Sequence, residues 1–471
     1  MKDFVISKII PSSLAILGII LLYNWLNSDV TAELQLRLPG ADRVGQTASI
    51  EIEATEIEGQ LIEFDGVAED LPGIWPRFRG ANFDGISSEN IVPATTWPEN
   101  GPKVLWSIAV GEGYAGAAIM AGRVYIIDYD RDNTADVIRC LSLADGKDIW
   151  KYSYPVKVKR YHGMSRTVPA VTEKYVVTIG PKCHVTCLDS ITGEFRWMIN
   201  LVKEFNTTVP PWYAGQCPLI DNNKAIIAPG GDSLMIAVDC ETGEIVWESP
   251  NPNGWQMTHS SIIPASFMGK QMYIYCASRG VAGISAEDGS ILWETTDWKI
   301  RIANIPSPVI VGDGKIFFSG GYNSGSMMIQ LTQEGEKILP KPVFGLKAEV
   351  FGSPQHTPIF YNGYIYGVRP DEQLTCLDLN GKIIWTSTSS NKFGLGPYII
   401  INDLMYIMND SGVLTLVKAA SSGFIQLAKA KVLEGPDSWG PMAIASNRLI
   451  LRDLNRMICI DISEDRDNRI E

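Results

Sequence analysis

Apolar and polar residues alternate along most of the chain in a unit that recurs about every 46 residues. Each unit contains a short apolar stretch, a turn with Gly after a small or acidic residue, and a second apolar stretch that ends in Trp or Leu. The turn glycines stand at 146, 193, 243, 289, 335, 381 and 423, each four residues before that large side chain. Because Gly supplies the positive φ that tight hairpins need, the pattern predicts antiparallel strands joined by short turns.

Each unit is preceded by a further pair of apolar stretches, which makes four strands per repeat. Eight such pairs begin between "AAIMAGRVYIID" and "PMAIASNRLILRD". Four strands at this period are typical of a propeller blade. The last unit stops at Ser463 without its final strand, and "PKVLWS", with Trp106, precedes the first unit. We therefore predict an all-β protein in which residues 102–463 form an eight-bladed β-propeller closed by N- and C-terminal strands.

The N-terminal pattern is different. Residues 9–26 carry no charge, and 18 helical residues span roughly 27 Å, so we predict one N-terminal transmembrane helix there after a cytoplasmic segment 1–8. This places the propeller outside the cytoplasm, anchored to the inner membrane. A cleaved signal peptide ending near "VTA" is the alternative, and it would release the propeller into the periplasm.

Three shorter segments complete the predicted organisation. Residues 27–74 form an acidic linker with possible short strands, since Ile and Glu alternate in "SIEIEATEIEG". This linker is either a flexible tether or a strand hairpin packed on the outside of the propeller. Residues 75–101 lead into the propeller, and residues 464–471 form a polar tail.

Charge and cysteine content exclude two classes of function. With 40 Lys and Arg against 53 Asp and Glu, and no basic cluster, nucleic-acid binding is not expected. Cys183 and Cys187 look like a metal pair but lie about 13 Å apart on a predicted strand, too far for one zinc ion. Four of the eight cysteines occupy the same strand position in different repeats, so we expect core residues rather than disulfides. No metal site is predicted.

The unit "AVDCETGEIVW" resembles the repeat of pyrroloquinoline-quinone-type (PQQ-type) eight-bladed propellers. "WPRFRGANFDGIS" followed by "GPKVLW" is similar to the lead-in of bacterial, often membrane-anchored, quinone-binding-like propellers. The superfamily contains quinoprotein alcohol dehydrogenases and non-catalytic propellers, including the lipoprotein subunit of the β-barrel assembly machinery. The resemblance implies the fold and leaves the function open.

The sequence departs from the enzymes of that superfamily. Those enzymes hold calcium and PQQ with carboxylate and amide side chains and often carry adjacent cysteines, whereas this chain has no Cys-Cys pair and is shorter. No catalytic residue is predicted, and no cofactor is expected, although PQQ is kept as an alternative.

The segments that open the blades differ from one repeat to the next and are rich in aromatic, amide, His and Arg residues, which favours a ligand-binding channel mouth. The predicted ligand-binding residues are Tyr114, Arg166, Trp212, Gln216, Trp255, His259, Arg301, Asn304, His356 and Trp439. Two Arg, two His and one nearby carboxylate, Asp437, suit an anion or a sugar better than calcium. The alternative is that these side chains only fill the channel.

The predicted function is that of a membrane-tethered, exported, non-catalytic binding or assembly scaffold. Its expected partners are the membrane and a protein, a polysaccharide or a small anionic ligand. A PQQ-dependent alcohol or sugar dehydrogenase with an atypical site and a polysaccharide-binding module are the alternatives.

Overall fold

A computed structural model of the protein describes residues 10–27, 57–160 and 163–464. Three strands precede the first blade: β1 (Gln60–Glu63), β2 (Ile86–Ser87) and β3 (Val104–Ala109). Blade 1 contains β4 (Ala118–Met120), β5 (Arg123–Asp130), β6 (Ala135–Ser142) and β7 (Asp148–Pro155). Blade 2 contains β8 (Ala170–Val171), β9 (Tyr175–Ile179), β10 (His184–Asp189) and β11 (Phe195–Asn200).

Blade 3 contains β12 (Leu219–Asp221), β13 (Lys224–Ile227), β14 (Ser233–Asp239) and β15 (Ile245–Pro250). Blade 4 contains β16 (Ile263–Phe267), β17 (Lys270–Cys276), β18 (Val281–Ser285) and β19 (Ile291–Thr295). Blade 5 contains β20 (Val309–Gly312), β21 (Lys315–Gly320), β22 (Gly325–Glu334) and β23 (Lys337–Leu346).

Blade 6 contains β24 (Ile359–Tyr361), β25 (Tyr364–Val368), β26 (Leu374–Leu377) and β27 (Ile383–Thr386). Blade 7 contains β28 (Tyr398–Ile401), β29 (Leu404–Met408), β30 (Val413–Lys418) and β31 (Gln426–Lys431). Blade 8 contains β32 (Ala443–Ala445), β33 (Arg448–Arg452) and β34 (Arg456–Asp461), and takes β3 as its fourth strand.

These strands form eight sheets, one per blade, in which the blade strands run antiparallel, and this confirms the predicted eight-bladed all-β propeller. Blade 8 is built from both ends of the propeller, because β3 pairs antiparallel with β34 from Val104 opposite Ile460 to Ala109 opposite Arg456. The first strands of neighbouring blades contact one another, as β4 does with β8 and with β32, so these strands surround the channel. All eight cysteines are free and buried.

The repeated Trp and Gly residues hold adjacent blades together. Trp150, at the end of blade 1, is 1% exposed and lies over the turn glycine of blade 2, where a Cβ on Gly193 would come within 2.6 Å of the indole ring. Gly193 also has a φ of 76°, so a side chain is disfavoured there for two reasons. The same contact joins three further pairs: Trp106 with Gly146, Trp197 with Gly243, and Trp247 with Gly289.

The N-terminal unit, Met1–Glu53, contributes one described element, helix α1 (Ile10–Asn27), whose described side chains between residues 15 and 24 are exposed. No helix in the described part of the chain is both long and apolar enough to cross a membrane. The transmembrane helix predicted for residues 9–26 is therefore not supported by the described residues. The predicted segment 1–8, linker residues 28–56 and tail residues 465–471 lie outside the described residues.

Strand β1 falls within the segment that was predicted to be a linker. It adds a fifth strand to blade 1 by pairing antiparallel with β7, from Gln60 opposite Ser153 to Glu63 opposite Trp150. A strand thus lies on the outer edge of the propeller at 60–63, directly after the alternating stretch that ends at Gly59.

The lead-in segment 75–87 lies across the channel. Trp75 pairs with Ile119 of β4, and the Val171 N–H of β8 donates to the Pro76 carbonyl oxygen. On the other side, β2 pairs in parallel with β28 of blade 7. A single segment that contacts the innermost strands of blades 1, 2 and 7 thus lies inside the channel.

Arg79 fixes this lead-in segment in place. Its side chain is buried and donates to the carbonyl oxygens of Thr357 and Pro358 at 3.0 and 3.1 Å, and to those of Phe83 and Asp84 within its own segment. Burial lowers the pKa of Arg79 to about 10, so the guanidinium stays charged at neutral pH and each of these hydrogen bonds is charge-assisted.

Candidate functional site

The blade-opening segments are linked by hydrogen bonds that pass from one blade to the next. The Val168 N–H donates to Cys217 Sγ at 3.2 Å, and the Cys217 N–H donates to Ser261 Oγ at 3.0 Å. The Ser261 N–H donates to Ser307 Oγ at 3.0 Å, and the Ser307 N–H donates to Thr357 Oγ1 at 2.9 Å. This belt joins blades 2 to 6 at equivalent positions, each immediately before an innermost strand. It gives the channel mouth a rigid base.

A cavity of about 300 Å³ lies at this mouth, and we refer to it as the cup. The described residues that line the cup are Phe78, Tyr114, Arg166, Trp212, Gly215, Cys217, His259, Ser261, Ile305, Tyr322, Gln355, His356, Leu395, Trp439 and Pro441. Phe78 comes from the lead-in segment, so that segment forms part of the cup wall. The mouth side chains leave this space open, while the channel interior is filled by residues 75–87.

Six of the ten residues predicted for the ligand site line the cup. They are Tyr114, Arg166, Trp212, His259, His356 and Trp439. They come from blade-opening segments scattered over more than 300 residues of sequence, and the propeller brings them around one space.

The other four predicted residues are outside the cup lining. The Gln216 side chain is buried and bridges strands, since its Nε2 donates to the Ala228 carbonyl oxygen and its Oε1 accepts from the Ala228 N–H. Trp255 is buried in the apolar core between blades 3 and 4. Asn304 is buried and its carbonyl oxygen accepts from the His259 N–H, whereas Arg301 is exposed.

Two aromatic rings form one wall of the cup. Tyr114 and Trp439 lie 5.1 Å apart between ring centroids with a 34° interplanar angle. Carboxylates orient both rings, because the Tyr114 hydroxyl donates to Asp437 Oδ2 at 3.2 Å and the Trp439 indole N–H donates to Asp410 Oδ1 at 2.7 Å. Burial, with Asp437 nearby, raises the pKa of Tyr114 to about 12, so its hydroxyl keeps its proton at neutral pH.

Arg166 supplies a positive charge to the cup. Its guanidinium carbon lies 5.1 Å from the centroid of the Tyr114 ring, a cation–π distance. Its Nε donates to the Trp212 carbonyl oxygen at 2.5 Å and its Nη2 to the Gly163 carbonyl oxygen at 3.4 Å. Burial lowers the pKa of Arg166 to about 10, which leaves it charged at pH 7.

The two cup histidines are neutral at pH 7. Burial lowers the pKa of His259 to about 4, with a further contribution from the nearby Arg166 charge. Burial likewise lowers the pKa of His356 to about 4. Hydrogen bonding of the His356 ring to the backbone of Trp439 and Leu395 offsets part of this shift. A neutral imidazole can either donate or accept a hydrogen bond, which suits it to contact a polar ligand.

Four described non-glycine residues at the cup have left-handed backbone conformations, and one of them is Tyr322, with a φ of 54°. Trp212 and Tyr213 are consecutive, with φ of 61° and 75°, and Asp437 has a φ of 59°. Such conformations cost about 1–3 kcal/mol each and are often found at functional sites. They place the Trp212 ring 6.4 Å from His259 on one side of the cup and the Asp437 carboxylate behind Tyr114 on the other.

The cup does not fit a calcium–quinone pair. Calcium takes six to eight oxygen ligands, chiefly carboxylates, and none of the described lining residues carries a carboxylate. Asp410 and Asp437 are behind the aromatic wall, where they accept hydrogen bonds from Trp439 and Tyr114. Among the described residues, no group of three or more His, Cys, Asp or Glu is placed to hold a metal ion.

A larger groove, of about 1120 Å³, lies on the outside of blades 1 and 2, between β1, β11 and the short helix α2 (Leu201–Phe205). Its walls are strand edges and exposed side chains, and it contains none of the predicted site residues. The cup is smaller but collects convergent polar groups on aromatic walls, as expected of a small-molecule site.

The fold is an eight-bladed propeller, and comparison with known proteins shows that it is of the PQQ-like class. A family profile described as outer membrane protein assembly factor BamB (PQQ_2) matches residues 134–387, more than half of the chain. The protein belongs to this family. No curated protein gives a significant match.

Solved structures share the fold at low sequence identity. BamB from Moraxella catarrhalis is 12% identical with a TM-score of 0.51, and the match covers 76% of this chain and 99% of that one. A europium-containing methanol dehydrogenase is 12% identical with a TM-score of 0.59, covering 80% and 89%. The computationally designed Ika8 protein is 10% identical with a TM-score of 0.50, covering 76% and 99%. At these identities the likeness shows the fold alone.

Proposed function

We propose that this protein is a non-catalytic binding propeller that holds a small polar or anionic ligand in the cup. The observation that carries the proposal is the convergence of six mouth residues on one cavity whose aromatic wall is oriented from behind by carboxylates. The belt of hydrogen bonds below the mouth and the strained Trp212–Tyr213 backbone add preorganisation, which is typical of a binding site.

The dehydrogenase alternative is the weaker one. The methanol dehydrogenase neighbour supports only the fold, and the cup lining lacks the oxygen ligands that calcium requires. The cup residues supply hydrogen-bond donors, aromatic rings and neutral imidazoles, which can bind a ligand.

We further propose that the propeller works outside the cytoplasm and has a scaffold role with a protein partner. The family description, an outer membrane assembly factor, supports such a role, and the uncharged stretch at residues 9–26 supports export. Fusing alkaline phosphatase, which is active only after export, to the C-terminus of the full chain tests the location. A fusion that is stable but inactive would contradict it.

A thermal-shift screen of the purified protein tests ligand binding. The ligand set contains small carboxylates, phosphate, neutral sugars, and PQQ with calcium. We expect at least one class to raise the melting temperature of the wild type and to lose this effect in both Arg166→Ala and His259→Ala. Melting temperatures unmoved by every ligand, in wild type and variants alike, would leave channel filling as the role of these side chains.

An activity assay of the same purified protein distinguishes a binding protein from an enzyme. After reconstitution with PQQ and calcium, dye reduction is measured with alcohols and with aldose sugars. We expect no turnover above that of free PQQ, and clear protein-dependent turnover would refute the non-catalytic proposal.

A further inference from the structure

The charged and imidazole side chains of the cup are already engaged by the protein itself. Arg166 lies over the Tyr114 ring and donates to two main-chain carbonyl oxygens. The rings of His259 and His356 each hydrogen-bond to the main chain of two loop residues. These side chains therefore hold the loops of the mouth together, and little of their hydrogen-bonding capacity is left for a ligand.

Neutral polar groups of the cup remain open to a ligand. The Gln355 amide, the Trp212 indole N–H and the Tyr322 hydroxyl line the cup without a hydrogen-bond partner among the described residues. Gln355 and Trp212 are partly exposed and Tyr322 is 48% exposed, so a ligand can reach all three side chains. Because an amide both donates and accepts, Gln355 can bind a hydroxyl group in either role.

Much of the remaining lining is apolar and aromatic. The rings of Phe78, Trp212 and Trp439 are partly exposed, and Ile305 and Leu395 add aliphatic surface. Aromatic rings pack well against other aromatic rings, whereas an ionised group would lose its hydration here without a free partner. A cavity of about 300 Å³ is at the small end of ligand sites, so one ring with a few substituents fills it.

Phe78 closes the cup on one side. A second cavity, of about 30 Å³, adjoins the cup, and Phe78, His356 and Pro441 line both spaces and so lie between them. Phe78 belongs to the lead-in segment, which the neighbouring Arg79 fixes to main-chain carbonyl oxygens of blade 6. The Phe78 ring therefore limits the length of a ligand that enters from the mouth.

We propose that the cup binds a neutral phenol, a single aromatic ring with one hydroxyl group. The hydroxyl binds the Gln355 amide, and Phe78 restricts the ligand to one ring. The proposal rests on the proposed function, that the cup is a ligand site, and it names the ligand class together with two residues that determine specificity.

Isothermal titration calorimetry of the full chain at pH 7 tests the ligand class with 4-methylphenol and three matched compounds. Toluene lacks the hydroxyl, and we expect it to bind about two- to tenfold more weakly, as for the loss of one neutral hydrogen bond. 4-Hydroxybenzoate carries a charge in place of the methyl group and should bind about tenfold or more weakly. 4-Methylcyclohexanol keeps the hydroxyl without the flat ring and should also bind more weakly than 4-methylphenol.

A variant at Gln355 assigns the hydroxyl preference. Gln355→Leu keeps a similar size without the amide, and it should reduce the 4-methylphenol-to-toluene affinity ratio to about one. Gln271→Leu, an exposed amide on β17 outside the cup lining, should leave the ratio unchanged. A merely structural role of Gln355 would lower both affinities together and preserve the ratio. If Gln355→Leu does not fold, Gln355→Ala replaces it with the same expectation.

A variant at Phe78 tests the restriction to one ring. Phe78→Ala joins the cup to the adjoining cavity and makes room for the fused rings of 2-naphthol. We expect the 2-naphthol-to-4-methylphenol affinity ratio to rise about fourfold or more, as for one additional buried CH₂ group. If Phe78→Ala does not fold, Phe78→Leu should change the ratio in the same direction.

Several results would overturn the proposal. Binding of 4-hydroxybenzoate or 4-methylcyclohexanol as tight as that of 4-methylphenol refutes the ligand class, as does a hydroxyl preference that survives Gln355→Leu. A naphthol ratio unchanged by Phe78→Ala refutes the role of Phe78. If none of these rings binds while another ligand raises the melting temperature in the thermal-shift screen, the ligand class is wrong and the proposed function stands. If no ligand of any class binds, both are wrong.

Discussion

The hydrogen-bond belt below the cup is tested by Ser307→Ala. Ser307 Oγ accepts the Ser261 N–H at 3.0 Å, and the two residues are 1% and 4% exposed. Removing the hydroxyl leaves a buried main-chain N–H without a partner, because water does not reach it. The expected loss is about 1–3 kcal/mol of unfolding free energy.

That loss corresponds to a measurable change in melting temperature. At about 2.1 cal/mol/K per residue, roughly 360 propeller residues give an unfolding entropy near 0.8 kcal/mol/K, so the midpoint should fall by about 1–4 °C. Differential scanning calorimetry of the wild type and the variant measures it. Since Cys217 Sγ serves as the acceptor two steps along the belt, Ser307→Cys is expected to recover part of the loss.

The control is Ser422→Ala, which removes an exposed hydroxyl outside the belt. Surface substitutions change stability by at most about 0.5 kcal/mol, so its midpoint should stay within about 0.7 °C of the wild type. Equal midpoints for Ser307→Ala and Ser422→Ala would refute the argument that the belt stabilises the ring. Ser307→Cys melting as low as Ser307→Ala would show that packing, and not an acceptor for Ser261, is what matters.

Two further predictions concern buried groups in the blades. Burial raises the pKa of Asp136 to about 8, so the folded protein holds a proton that the unfolded chain releases near pH 4, and stability is lost as the pH rises between these values. Asp136→Asn should therefore stabilise the protein more at pH 8 than at pH 5 in urea unfolding, and an equal gain at both pH values would contradict this. Gly193→Ala places a methyl group on the Trp150 ring and should destabilise by about 2 kcal/mol or more, whereas Gly269→Ala has a similar φ with open space around it and should cost only about 1 kcal/mol. Thermal unfolding of the two variants tests the difference, and equal losses would show that backbone strain alone accounts for both.

The fold could be predicted because the same physical constraint recurs in every blade. A turn needs a residue with positive φ, and the preceding blade places a large ring against it, so Gly and Trp repeat at a fixed spacing. Transmembrane anchoring was predicted from the absence of charge over residues 9–26, and the described residues contain no helix that is both long and apolar enough to support it.

The cup was predictable only in part. Gln216, Trp255 and Asn304 share the blade-opening segments with the cup residues, yet their side chains fill spaces between strands and blades. Sequence position gives the segment and does not give the direction of a side chain in an irregular loop. Tyr322 and Phe78 were missed because one lies in a turn after β21 and the other precedes the repeats.

Some of the missed features had a signal in the sequence. Cys217, Ser307 and Thr357 each come directly before the proline that precedes an innermost strand, and a small acceptor at one repeat position in three blades indicates a shared contact. In the lead-in segment, two arginines among aromatic residues are unusual for a flexible linker. Arg79 explains one of them, because it binds main-chain carbonyl oxygens inside the channel.

The pairing of β3 with β34 has a consequence for how the chain is made. The last strand of the propeller, Arg456–Asp461, is synthesised more than 340 residues after its partner, so the ring stays open until the C-terminal region emerges. Contacts this distant in sequence form slowly. The lead-in segment is synthesised before the blades, but its partner strand β28 is synthesised late. The blades therefore have to close around a segment that already exists. An open solenoid that loses a terminal repeat loses only the contacts of that repeat. Truncation of this chain before Arg456 removes the β3–β34 pairing that closes the ring of blades.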